Sequence, residues 1–175
     1  RNQPKSKDVQ KVVGGAAMLV AGSMPAFTKE RDTMTDHIAT LRRVIESWHR
    51  ADVEGVMACL HPDIIWNNSG GIRAPLRGAD AMRKTLEGMK GRITNNRWRL
   101  FDVAQDGDKV WMEGVDEFDT VDGVRVAIPY CGILDFKDGL IHHWREYFDG
   151  RLQENQLAGQ GVSEHVEAML ARPAV

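Results

Sequence analysis

The sequence predicts an α+β fold in which three N-terminal helices pack on one face of a curved antiparallel sheet and enclose a pocket. Three observations lead there. Apolar residues recur at helical spacing in the first half, as in Ile38, Leu41, Val44, Ile45 and Trp48. From about residue 97 the pattern changes to long runs that alternate at period two. Asp106-Gly107, Asp122-Gly123 and Asp138-Gly139 cut those runs into hairpins. Helices followed by a meander of strands form separate layers, and a cavity between them is the natural place for a ligand.

Each element has its own signal. Thr35 or Asp36 can cap a first helix running to about residue 50, because a short polar side chain there satisfies a free backbone N–H. A shorter helix over 53–60 ends at His61-Pro62, since the residue before proline is pushed out of the helical region. Residues 64–68 read as a strand, with Trp66 and Asn68 on one face and Ile65 and Asn67 on the other. Ser69-Gly70-Gly71 closes it as a turn. Residues 78–89 read as the third helix, with Met82 and Leu86 facing inward. Strands follow over 97–103, 110–119, 124–136 and 140–148. Gly132 suggests a bulge in the third of these, and Pro129 a gap in its hydrogen-bond ladder. More helix is expected over 151–171, with Ser163 as a cap.

A chain of 175 residues, 42% hydrophobic and 27% charged, fits one globular domain with a single core. The net charge of −2 gives no reason to expect nucleic acid or an anionic membrane as partner. Arg92, Arg97 and Arg99 cluster around Trp98 and read as a solvated sheet face. Cys59 and Cys131 read as buried small hydrophobes in a helix and a central strand, and nothing requires a disulfide. No C-x-x-C or H-E-x-x-H occurs, and the adjacent His142 and His143 point opposite ways on a strand, so no metal site is expected. Residues 1–11 are polar and basic and 12–22 apolar, a weak likeness to a signal peptide but too short to span a bilayer. A flexible extension over 1–34 and a cytoplasmic location are expected, with export the alternative if residues 1–23 act as a signal.

Two acids stand out, Asp116 in E-G-V-D-E-F and Glu146 in H-W-R-E-Y-F-D. Met112, Gly114, Asp116 and Phe118 share one strand face, and Trp144, Glu146 and Phe148 share another, both otherwise apolar. A carboxyl buried there must find a partner, shift its pKa or do chemistry. Alone, either reads as a structural carboxylate bonded to backbone or an arginine. Together, on strands that can be neighbours, they point to an acid/base pocket.

The order of elements, with H-P-D-I-I-W-N-N at 61–68, G-A-D-A-M-R-K-T-L at 78–86 and W-R-E-Y-F-D at 144–149, resembles the SnoaL-like group. That group belongs to the nuclear transport factor two-like superfamily, whose fold is a cone of curved sheet and helices. Within it the likeness is to the limonene-1,2-epoxide hydrolase family and covers about residues 37–149. It implies a SnoaL-like domain over 35–150 and a helical tail over 151–175. It also implies that Glu146 stands where the family has the aspartate that deprotonates water. Asp116 matches the acid that protonates the epoxide oxygen, but Gly114 replaces the arginine that bridges the two. Asn68 matches one of two residues that hold the water, and Trp66 replaces the other, a tyrosine.

Losing the arginine has consequences. A guanidinium between two carboxylates favours the ionised state of both. Without it, one acid should keep a proton near neutral pH, the two titrating as a coupled pair. Gly114 is also expected to open space beside Asp116. Three functions are compatible with these residues. The first is a cofactor-independent acid/base enzyme, in its most specific form an epoxide hydrolase with Glu146 as base and Asp116 as acid. The second is a lyase, isomerase or dehydratase using the same acids, with Tyr130, Trp66, His142 or His143 as auxiliary donors. The third is a non-catalytic binding protein in which backbone or Arg145 satisfies an acid. A pocket lined by Trp66, Met112, Gly114, Phe118, Tyr130, Trp144 and Phe148 would take a small apolar, aromatic or terpenoid-like substrate. The resemblance implies a homodimer through the outer sheet face, with Trp111 and Ile133 exposed.

Overall fold

The structure, a computed structural model, describes residues 35–68 and 73–175, which belong to one compact unit. The expected N-terminal extension or signal and the Ser69-Gly70-Gly71 turn lie outside the described residues. Helix α1 (His37–His49) begins where Asp36 Oδ1 accepts from the Ala39 N–H at 2.9 Å, and it buries Leu41, Val44, Ile45 and Trp48. Asp52 caps α2 (Val53–Met57) in the same way through the Gly55 N–H. This helix is shorter than the sequence predicts: the chain turns at Ala58 and Cys59 into β1 (Leu60–Asn68), so His61-Pro62 lies inside a strand. Pro62 donates no hydrogen bond, and the pairing of β1 is interrupted between Leu60 and Ile65. After β2 (Leu76–Arg77), Gly78 at a φ of 84° leads into α3 (Ala79–Lys90), which turns Met82 and Leu86 inward.

A short strand β3 (Ile93–Thr94) precedes four long ones: β4 (Arg99–Asp106), β5 (Lys109–Thr120), β6 (Arg125–Lys137) and β7 (Leu140–Phe148). The sheet runs β2-β1-β7-β6-β5-β3, with β4 also on β5. All pairs are antiparallel except β1–β7, which is parallel because the chain reaches β7 only after the whole meander. The open sheet curls into a half-barrel, and its inner face shares one core with α1, α2 and α3.

Two details of β6 differ from expectation. The β5–β6 register is unbroken from Lys109↔Asp135 to Asp119↔Arg125, so there is no bulge at Gly132. Gly132 instead makes room for Met112, whose Cγ would lie 3.1 Å from a Cβ there. Pro129 removes no ladder bond. Ala127 turns its N–H and C=O away from β5 toward the Gln156 side chain (2.8 and 2.9 Å), and Pro129, two residues on, faces the same way. That edge lies beyond Tyr130↔Phe148, the last β6–β7 pair.

The C-terminal residues cover part of the sheet's outer face. After α4 (Gly150–Asn155) and a wider turn (Gln156–Gln160), Ser163 caps α5 (Glu164–Leu170), which packs Val166 and Leu170 on Phe101, Val115 and Ala127. This cover buries Glu117, and Arg97 and Arg99, expected to be solvated, bracket it with Arg125, while Arg92 is exposed as expected. Arg97, Arg99 and Arg125 all reach its carboxylate, within 2.8 to 3.2 Å. Burial would raise the Glu117 carboxyl, but the Arg125 bond and the charges of Arg97, Arg125 and Arg99 hold it below its ordinary value. The rest of the outer face is open: Trp111 and Tyr147 are 38% and 49% exposed and Ile133 is half-buried beside them. Cys131, expected to be buried, is exposed there, because alternation on β6 sends it outward with Ile133. Cys59 is buried in the turn before β1, and both thiols are free.

Gln156 is 1% exposed and supplies both hydrogen bonds that hold the α4 segment to the edge of β6. Gln156→Leu would strand the Ala127 N–H and C=O in an apolar site. It is expected to lower stability by about 2–4 kcal/mol, read as a lower urea midpoint at unchanged slope.

Candidate active site

Strand alternation brings the two acids to one cavity. On β5, Asp116 and Phe118 face the helices while Trp111 and Glu113 face outward; on β7, Trp144, Glu146 and Phe148 face in while Arg145 and Tyr147 face out. Register places Trp66 beside Trp144 and Asn68 beside Glu146 across β1–β7, and Tyr130 beside Phe148 across β6–β7. These residues line a cavity of about 360 Å³. Its inner end is closed by Val44 and Trp48 from α1, Val56 from α2 and Met82 and Leu86 from α3. The wall is aromatic: Trp98 stacks on Trp144 with ring centroids 5.7 Å apart, and Trp66 lies 6.0 Å from Trp144.

The electrostatics follow from this wall. The Trp66 indole N–H donates to Glu146 Oε2 at 3.1 Å. The Trp144 N–H is close enough to favour the ionised Glu146, yet it is buried and not aligned in a hydrogen bond. Asp116 Oδ1 is buried with no hydrogen-bond partner among the described residues. Burial pushes the Asp116 carboxyl up to about 6. Glu146 ionises second and is pushed up to about 7, first by burial and then by the charge on Asp116, against the two indoles. Near neutral pH the pair therefore shares about one proton. Burial also raises the Tyr130 phenol, although the Trp98 N–H bonded to its oxygen works the other way, so Tyr130 stays neutral.

The sequence profile of the SnoaL-like domain matches residues 41–144. The chain belongs to the SnoaL-like domain family. It is 32% identical over 98 residues to epoxide hydrolase EphG of Mycobacterium tuberculosis, a match covering 56% of this chain and 63% of that protein. Among solved structures it resembles an LEH-like epoxide hydrolase of M. tuberculosis, with 25% identity, 72% of this chain and 92% of that one covered, and a TM-score of 0.62. An NTF2-like protein of unknown function from Burkholderia pseudomallei shares the fold at 22% identity, with 69% and 98% of the chains covered and a TM-score of 0.60.

Within this SnoaL-like domain, Asp116, Glu146, Asn68, Trp66, Phe118, Tyr130, Trp144 and Phe148 all line the cavity, but Gly114 and Met112 do not. Gly114 opens no space. A Cβ there would collide with the Arg99 carbonyl oxygen and lie 2.7 Å from Tyr130 Oη, so the cross-strand tyrosine fills the volume the glycine vacates. Met112 is core, lodged over Gly132. His142 and His143 are also off the wall: His143 Nε2 contacts Asn67 Oδ1 at 2.7 Å, and His142 packs edge-on to His61 at 5.0 Å. Arg145 satisfies neither acid, since it points outward and donates to Asp135 at 2.6 Å. Among the described residues no group of three or more His, Cys, Asp or Glu could hold a metal ion, and no helix is long and apolar enough to cross a membrane.

Sequence reasoning passed over Trp98, read as part of a solvated patch, and the wall residues Thr120, Gln153 and Leu157. A tryptophan on the face opposite Arg97 and Arg99 was the available signal for the first. For Gln153 and Leu157 there was none, because their place depends on how the C-terminal segment packs.

Both acids have folded-state values above their ordinary 3.8 and 4.5. At this pair the folded protein therefore binds more protons than the unfolded chain from about pH 4 to about pH 7, and the pair's contribution to stability falls as pH rises through that window. Asp116→Asn removes one of these buried charges. Its melting temperature at pH 8 is expected to exceed wild type by at least about 2 °C, with the gap closing toward pH 4 in a calorimetric pH series.

Proposed function

We propose that this SnoaL-like domain is a cofactor-independent enzyme that adds water to an epoxide on a small apolar substrate. The observation that carries the reading is the pair Asp116 and Glu146, sharing about one proton near neutral pH at the wall of an apolar cavity. The similarity to the two epoxide hydrolases supports it.

In this reading Glu146 is the base and Asp116 the acid. Glu146 takes a proton from a water held by Asn68, and the water oxygen forms a bond to an epoxide carbon. The carbon–oxygen bond breaks as Asp116 gives its proton to the leaving oxygen. The product is a vicinal diol, and the proton now on Glu146 returns to Asp116 to reset the pair, so the balance closes without a cofactor. The Trp66 N–H fixes the Glu146 carboxylate for this step. With Asp116 protonated, Glu146 loses the charge that raises it, and the form that carries the shared proton on Asp116 is the productive one. Exposed Trp111 and Tyr147 provide the apolar surface for the homodimer that we include in this reading.

The test is turnover of a panel of apolar epoxides by wild type, Asp116→Asn and Glu146→Gln. Wild type is expected to form diols, and each variant to stay folded and lose about 10²–10⁴-fold in kcat. The pH profile of wild type is expected to be a bell with flanks near the two acids' values of about 6 and about 7. Below them both acids are protonated and the base is lost; above them both are ionised and the acid is lost. Activity that survives both substitutions, or no diol from any epoxide, would refute the reading.

A further inference from the structure

We propose that Arg92 makes the cavity mouth a subsite for a carboxylate, at the far end of an elongated apolar substrate whose reacting end meets Asp116 and Glu146. The choice of reacting end rests on the function proposed above; the carboxylate subsite does not.

Among the described residues that line the cavity, only Arg92 and Leu157 are exposed, and they mark an opening. Arg92 is held there by the backbone. Its carbonyl accepts from the Val121 N–H at 3.0 Å, and the next residue, Ile93, pairs with Thr120. Among the described residues, no carboxylate lies within 4.0 Å of its guanidinium. Asp119, the acid beside Thr120, is already engaged by both terminal nitrogens of Arg97 (2.8 and 3.2 Å) and by Asn95 (2.7 Å). Arg97, Arg99 and Arg125 are committed to Glu117, which leaves Arg92 as a guanidinium facing an apolar cavity with no acid of its own.

Two polar side chains stand with it on the wall. The Thr120 oxygen accepts from the Val124 N–H at 3.0 Å, which leaves its O–H free to donate, and Gln153 from α4 supplies an amide. One guanidinium with two neutral donors matches a singly charged, planar carboxylate. Orientation follows from charge. The pair inside carries about one negative charge near neutral pH and repels an anion, while Arg92 attracts it, so the carboxylate stays at the mouth and the neutral end goes in.

The strand also sets a length. Asp116, Phe118 and Thr120 line the cavity along β5, and four residues of strand rise about 14 Å. Four residues of extended backbone contain about a dozen chain bonds, so the ligand is expected to be a medium-length chain or fused rings of that reach.

The test is binding, followed by quenching of tryptophan fluorescence, of decanoate and of its neutral counterpart decanamide, at pH 8 where the carboxylate is ionised. Wild type is expected to bind decanoate about five-fold more tightly than decanamide, with the preference shrinking in high salt. Arg92→Gln should abolish the preference and Arg92→Glu reverse it, while decanamide binding stays within about two-fold. Equal binding of the two ligands by wild type, or a preference that survives Arg92→Gln, would overturn the proposal. Because binding requires no turnover, the carboxylate subsite can fail while epoxide opening stands, and the reverse.

Discussion

Among the described residues, no cation lies beside the carboxyls of Asp116 and Glu146 against their aromatic wall, and the protonation of the cavity depends on how that burial is met. No arginine or lysine is among the groups that shift either acid. One partner, the Trp66 N–H, serves Glu146, while Asp116 Oδ1 has none. A buried carboxylate in that position is costly, and the remaining way to reduce the cost is to keep a proton. The packing enforces this state. Gly114, Tyr130 and Trp98 interlock where a bridging arginine would need room, and the Arg99 backbone closes the rest of that volume. A site that holds a proton near neutral pH at a cost in fold stability is what the proposed proton transfer requires.

The opposite arrangement occurs on the outer face of the same strand. Glu117, the next residue along β5 from Asp116, is also buried, at 2% exposure, but three arginines surround it and its carboxyl is held below its ordinary value. Adjacent acids on opposite faces thus carry opposite shifts. The outer one anchors α5 and the C-terminal cover, with Arg125 bridging Glu117 to Glu167. The inner one is left without compensation.

The parts of this picture that depend on strand periodicity were legible in the sequence. Period two fixes which face each residue of β5 and β7 occupies, so the convergence of Asp116 and Glu146 needed only that their strands curl around a common space. Resemblance supplied the cone. What failed were inferences that needed to know a neighbour. Gly114 reads as a gap until the register sets Tyr130 opposite it, and Met112 reads as wall until Gly132 provides a slot for it. Arg97 and Arg99 read as solvated until α5, far along the chain, covers the face they share with Glu117. Cys131 was misplaced for a simpler reason: a central strand was taken to bury both faces, although only part of the outer one is covered. Gln153 and Leu157 reach the cavity through tertiary docking of α4, which no local pattern encodes.

The central claim is that Asp116 and Glu146 titrate as an uncompensated buried pair. Carbon-13 NMR of the side-chain carboxyls, assigned with Asp116→Asn and Glu146→Gln, tests it directly. The account predicts steps near pH 6 and pH 7, with the Glu146 step moving down once Asp116 is replaced. Two independent titrations near the ordinary 3.8 and 4.5, unmoved by either substitution, would contradict it.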